Sequence, residues 1–267
     1  MAYSSSPEQF SEQSGYEIDG KWYPRVTKIL EIKSKPALYR FYASMPSFEH
    51  GEDMKQKSAD EGTLVHETVQ ALAVGKQVDI DPSIKPAVDA FLEFTEKKRI
   101  KFVPEFIEKR LVNNRDRYAG TIDAVAHLDG RIGVLDIKTS QSIYRDYNLQ
   151  TAAYMGVLTD ESFNLSAGGP IDTRWILRID QMKKCNRCGS TLRPKGGREK
   201  IKRPFPSYGF ISCPEDAHEW SELKGIIELK EFPGWQTDFE AFLAAKKLWE
   251  WENEYLLKKI GYLRDGF

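Results

Sequence analysis

An Asp-Gly pair set between two apolar runs constrains this chain more than any other feature. Gly120-Thr121-Ile122-Asp123-Ala124-Val125-Ala126-His127-Leu128 and Arg131-Ile132-Gly133-Val134-Leu135-Asp136-Ile137-Lys138 both read as strands. Only Asp129-Gly130 separates them, the preferred two-residue hairpin turn. Pairing Leu128 with Arg131 then sets Asp123 directly across from Asp136. Opposed residues hold their Cβ atoms roughly 4.5–5.5 Å apart, where two carboxylates repel unless a cation lies between them. Alternation places Lys138 on the same face as Asp136. A solvated hairpin face with ordinary surface charge is the plainer reading. Against it, Val134-Leu135 and Ile137 look like a buried central strand, where charge is expensive unless paired or metal-bound.

The rest of the chain suits an ordinary globular protein, with 40% hydrophobic and 12% aromatic residues in 267. It reads as a single domain, 1–267. No apolar run approaches the roughly 20 residues that span a bilayer, and the first residues lack a signal-peptide core. A cytoplasmic protein with no membrane partner is the expectation. The net charge of −1 hides an uneven distribution. Lys183, Lys184, Arg187, Arg193, Lys195, Arg198, Lys200, Lys202 and Arg203 face only Glu199 in the stretch 182–204. Such a segment suits a polyanion, although a basic loop without a ligand has the same composition.

The 3 cysteines are an odd number, and all fall in this same region. That disfavours a disulfide framework and favours reduced, metal-binding thiols. Cys185 and Cys188 followed by Gly189 have the spacing of a zinc-knuckle turn, and Cys213 with His218 completes a Cys3His tetrahedral set for structural Zn²⁺. The long gap between Cys188 and Cys213 leaves incidental cysteines as the alternative. The segment 183–222 therefore reads as a basic, Cys-rich, zinc-knuckle-like insertion.

Residues 1–15 read as loose. Tyr16 to Val26 reads as a ribbon about Asp19-Gly20, with helical stretches from Thr27 and over 36–42. A helix over 52–73 should break at Gly62, with Thr63 as N-cap and His66 one turn inside. Further helices are expected over 84–101, 147–158 and 237–257, and further strands over 106–112, 174–179 and 226–229. The order is that of an α/β sandwich.

Five short motifs now stand in sequence. They are Tyr23-Pro24-Arg25-Val26-Thr27-Lys28-Ile29-Leu30, Gly62-Thr63-Leu64-Val65-His66-Glu67, Gly120-Thr121-Ile122-Asp123, Leu135-Asp136-Ile137-Lys138-Thr139-Ser140 and Gln150-Thr151-Ala152-Ala153-Tyr154. In this order and spacing the chain resembles the PD-(D/E)xK nuclease superfamily, in particular its RecB-like exonuclease branch, which includes CRISPR-associated, mitochondrial and phage-encoded members. The resemblance implies a restriction-endonuclease-like core, a mixed central sheet flanked by helices. It also implies that Asp123, Asp136, His66 and the Ile137 carbonyl hold Mg²⁺ or Mn²⁺, hard cations that prefer oxygen. Lys138 would orient the attacking water or stabilise the phosphate in the transition state. The upstream acid would be Glu108, with Glu105 as the substitute. Gln150 and Tyr154, at i and i+4, would contact the DNA backbone or brace the Lys138 strand, an interior hydrogen bond from Tyr154 being the alternative. No cysteine is placed for the iron–sulfur cluster of several relatives, so none is expected.

The implied function is a divalent-metal-dependent DNA nuclease, end-directed or single-strand-directed, meeting DNA and proteins of replication, recombination or repair. A structure-specific endonuclease and a non-cutting, zinc-containing DNA-binding protein remain the alternatives, and neither polarity nor DNA against RNA is decided.

Overall fold

The computed structural model describes residues 6–159, 161–204, 213–214 and 217–263. Its centre is a mixed sheet, entered through the hairpin the sequence marks. Strands β6 (Ala124–Leu128) and β7 (Arg131–Lys138) pair antiparallel, with Leu128 opposite Arg131 and Ala124 opposite Leu135. The register follows from the turn: Asp129 and Gly130 both adopt positive φ, 50° and 80°, the twist that matches flanking strands. Beyond β7 lies β8 (Ile171–Lys184), parallel to β7, and β11 (Lys224–Glu231) pairs antiparallel with β8. The short β3 (Lys101–Phe102) closes the other edge against β6. At its far end β8 continues into β9 (Thr191–Lys195) and β10 (Arg198–Lys202), so the cysteine-bearing insertion grows out of the central sheet.

Both faces of the sheet are covered, which is why β7 reads as almost continuously apolar. Alternation sorts its residues: Leu135 and Ile137 pack with helices α4 (Phe48–Ala73) and α5 (Lys85–Lys98) through Val65, Val69, Val88 and Phe91. Val134 faces the opposite way, into a core with Tyr154 and Met155 of α6 (Asp146–Leu158), Phe163 of α7 (Glu161–Ala167) and Phe242 and Trp249 of α8 (Gln236–Glu252). Arg174 ties this second layer together. Its buried guanidinium donates to the carbonyls of Asn148, Phe232 and Gly234 and to Asp238. The chain is therefore a mixed α/β protein whose mixed central sheet is flanked by helices. No helix among the described residues is long and apolar enough to cross a membrane.

Several expected boundaries differ. Residues 7–14 form helix α1, stabilised by a capping box in which Ser6 accepts from the Gln9 amide, whereas 1–5 lie outside the described residues. Strands β1 (Gly15–Ile18) and β2 (Lys21–Pro24) make the expected ribbon, followed by α2 (Val26–Ile29) and α3 (Pro36–Ala43). Helix α4 runs unbroken through Gly62, so Thr63 is interior rather than an N-cap. The expected single strand 120–128 is two, β5 (Tyr118–Thr121) and β6, interrupted at Ile122-Asp123. The expected strand 106–112 shortens to β4 (Arg110–Asn113), which pairs with β5 in a separate ribbon. The closing helix likewise divides at Asn253, where α9 (Glu254–Lys259) begins.

Candidate metal-binding sites

The interruption at Ile122-Asp123 turns the Asp123 carboxylate inward where β6 begins. Asp123 Oδ2 accepts the Ile137 amide at 2.6 Å and lies 3.2 Å from His66 Nε2. The first contact fixes the acid to β7, and the second reaches α4. Helix α4 comes close enough because residue 62 is glycine: a Cβ there would lie 2.6 Å from Thr139 Oγ1. A residue read as a helix break is thus a close-approach point between helix and strand end.

Glu108 joins from a different kind of backbone. It adopts φ +53°, an uncommon conformation for a non-glycine residue, and its amide donates to the Asp123 carbonyl at 3.2 Å. Gln70 of α4 donates to its carboxylate. Glu105 instead sits in a short 3₁₀ turn, 104–106, although both acids are exposed. The expected strand alternation between the two acids does not apply, since neither lies in a strand. Ligand atoms of His66, Glu108 and Asp123 fall within 4.8 Å of one another. They border a cleft of about 500 Å³ that also touches Arg25, Gly62, Ile137, Lys138, Thr139, Gln150 and Tyr154.

Asp136 of β7 is not among these clustered ligand atoms and does not line the cleft. Its side chain is fully buried, and neither oxygen finds a hydrogen-bond donor of good geometry among the described residues. Lys138 Nζ lies 2.7 Å from Oδ2 and 5.2 Å from the centre of the Tyr147 ring. Burial, reinforced by the charge of Asp123, pushes the Asp136 carboxyl up to about 6 against the pull of Lys138. Burial also opposes ionisation of Asp123, but the His66 hydrogen bond and the Lys138 charge hold it below its usual value. At Lys138 burial is outweighed by Asp136 and Asp123, which raise it; at His66 burial is outweighed by Asp123. Two buried acids pushed apart in proton affinity need a cation beside them to be ionised together. The donor set, carboxylate oxygens with one imidazole, is chemically suited to a hard divalent ion.

Gln150 and Tyr154 stand at the expected i, i+4 spacing on α6, but their polar groups are spent on each other, Gln150 Nε2 donating to the Tyr154 hydroxyl at 3.0 Å. The Tyr154 ring is buried over Gly120. The Gln150–Tyr154 hydrogen bond is that of the alternative reading, and both residues also line the cleft. Sequence reading missed Arg25 and Gln70 as cleft residues. Arg25 stood within a quoted motif; Gln70 lies one turn past His66 and carries no signal of its own.

The second cluster sits on the insertion. Cys185 closes a tight turn, its amide bonded to the Ser190 carbonyl and its carbonyl to the Gly189 amide. Sulfur or nitrogen atoms of Cys185, Cys188, Cys213 and His218 all fall within 4.8 Å of one another, a Cys3His cluster compatible with zinc. His218 Nδ1 is 3.4 Å from Cys188 Sγ and its ring stacks on Trp220 at 4.5 Å. Burial opposes thiolate formation at Cys188, yet the Ser190 hydroxyl and neighbouring amides pull it down to about 5. A thiol with stabilised thiolate is the form that ligates metal.

The nine basic residues are not equivalent. Lys184, Arg187, Lys200, Lys202 and Arg203 are exposed. Arg193 is not available to a partner in the same way, because its guanidinium pairs with buried Asp180 at 2.6 Å and donates to the Thr139 carbonyl at 2.8 Å. Lys195, half-buried, is held down to about 8 by burial and by Arg193 beside it. Lys183 and Arg198 are half-buried as well. Neither a scan against protein-family models nor a search of curated proteins returned a match.

Proposed function

We propose that this protein is a divalent-metal-dependent DNA nuclease of the PD-(D/E)xK type, with a restriction-endonuclease-like core and RecB-like affinities. The observation that carries the reading is the convergence of His66, Glu108 and Asp123 on one cleft that Lys138 also lines, with Lys138 paired to buried Asp136. Asp123, Asp136, His66 and the Ile137 carbonyl would hold Mg²⁺ or Mn²⁺, with Glu108 as the fourth side chain. The ion supplies Lewis-acid polarisation of the phosphate and a lower pKa for the attacking water. Lys138 releases Asp136 and places its positive charge beside the phosphate oxygens, where negative charge grows in the transition state. Asp123 keeps β7 in place through the Ile137 amide, and Arg25 offers a cation to the flanking backbone. The Cys3His cluster would hold a structural zinc in the knuckle-like hairpin, since four protein ligands leave no open position for chemistry. Reduced thiols suit a cytoplasmic setting.

A DNA-binding protein that does not cut is favoured by one observation: Lys138 and Asp136 already neutralise each other at 2.7 Å. One assay separates the two. End-labelled linear DNA incubated with Mg²⁺ or Mn²⁺ should be degraded over time, and chelator should stop the reaction. Intact DNA under all metal conditions, with binding retained, would favour the non-cutting reading.

A further inference from the structure

The β9–β10 hairpin bridges α4 and the segment after β7 at the Gly62–Thr139 end of the carboxylate cleft, without itself lining it. Its turn, Gly196-Gly197, rests on the α4 wall: the Gly196 amide donates to Glu61 Oε2 at 3.2 Å, and a Cβ on Gly196 would lie 2.7 Å from the Ser58 amide nitrogen. The same hairpin grips the other wall. Lys195 Nζ donates to the Thr139 carbonyl at 2.6 Å, and Lys200 Nζ to Gln141 Oε1 at 2.9 Å. On the flank, Arg198 lies 5.4 Å over the Phe41 ring of α3. Gly62 and Thr139 border the cleft from α4 and from the end of β7, and Lys195 Nζ reaches both. The two walls are therefore joined by a strap at this end of the cleft. Its root is held by the Arg193–Asp180 ion pair and by the cysteine turn immediately before β9. Letting a strand pass would break these contacts together.

We propose that the β9–β10 hairpin is an end stop, so that the substrate is a DNA strand with a free end, and that Lys195 is a specificity-determining residue of that stop. A continuous strand can be cut internally only where it can enter and leave the cleft. With the Gly62–Thr139 end barred, a strand reaches Asp123 and Asp136 by its terminus alone. The inference rests on the nuclease reading and adds to it the element that selects the substrate.

The test compares linear with closed circular single-stranded DNA, both with Mn²⁺. The wild-type protein should cut the linear form on the order of 100-fold faster than the circle. Replacing residues 194–199 by a two-residue turn should open the end and shrink that preference toward unity. Glu61→Ala combined with Lys195→Ala removes two anchors without shortening the chain, and should shift the preference the same way if the trimmed protein fails to fold. Wild-type cleavage of both forms at equal rates overturns the end stop while leaving the nuclease reading intact. So does an active, folded loosened variant with undiminished preference for ends. No cleavage of either form overturns the nuclease reading and the end stop with it.

Discussion

The carboxylate cleft and the cysteine cluster bring metal-ligating residues together by opposite routes. The cysteine turn is local: Cys185 and Cys188 belong to one tight loop, and only Cys213 and His218 come from farther along. The cleft draws His66 from a helix, Glu108 from a positive-φ corner and Asp123 from the break between β5 and β6, with Asp136 buried in β7 beside Lys138. Soft thiolates on a protruding segment and hard oxygens at the end of a buried strand also select different ions. On the proposed reading, one chain would hold two metals with separate duties, a structural ion organising an insertion and a reactive one in the cleft.

The largest expected difference lies in chemistry. Asp136→Ala and Asp123→Ala should each lower cleavage by about 1000-fold or more, because on the proposed reading each removes a carboxylate that would hold the cation. Lys138→Ala should lose turnover comparably but still bind metal, read by titrating activity and Mn²⁺ affinity separately. Full cleavage by Asp136→Ala would remove the cleft from the chemistry.

His66→Ala comes next. Apparent metal affinity should weaken by roughly 10–100-fold, with excess Mn²⁺ restoring part of the rate. An unchanged metal dependence would return His66 to the ordinary core. In the other region, Cys188→Ser should eliminate the zinc and, through the hairpin's hold on Thr139, slow cleavage by about tenfold rather than 1000-fold. An equal loss in both regions would erase the distinction between them.

The smallest effect is one of stability. Without metal, the Asp136 carboxyl is pushed up to about 6, so the folded state holds its proton more tightly than the unfolded chain does. Its contribution is present at pH below the ordinary carboxylate range and is lost as pH rises through about 6. Asp136→Asn, neutral at every pH, should therefore be more stable than wild type in chelator at pH 7.5, by roughly 1–3 kcal/mol. Thermal melts should show the gap closing toward pH 4, and a less stable variant at pH 7.5 would contradict the cause assigned to the shift.

The two regions also differ in how much the sequence discloses. The β6–β7 register was legible because Asp129-Gly130 dictates a local turn, and the cysteine turn because its spacing is local too. What failed was non-local. Gly62 signals a helix break by propensity, yet tertiary contact with Thr139 keeps α4 continuous. Glu108 was assigned a strand face, but its place is set by a backbone corner that no periodicity encodes. The basic segment suggested a polyanion by charge alone, whereas Arg193 is bound to Asp180 of β8 and both Arg193 and Lys195 to the Thr139 carbonyl, distant in sequence. The parallel partnership of β7 and β8 was equally silent, because no turn links them.

Counting metals in protein purified without a metal-affinity tag tests the division most directly. Elemental analysis should find about one zinc per chain in wild type and in Asp136→Asn, and none in Cys188→Ser. Mn²⁺ binding, followed by electron paramagnetic resonance, should be present in wild type and in Cys188→Ser and lost in Asp136→Asn. Zinc that disappears with Asp136, or Mn²⁺ binding that survives its replacement unchanged, would contradict a hard-cation site built on Asp123 and Asp136.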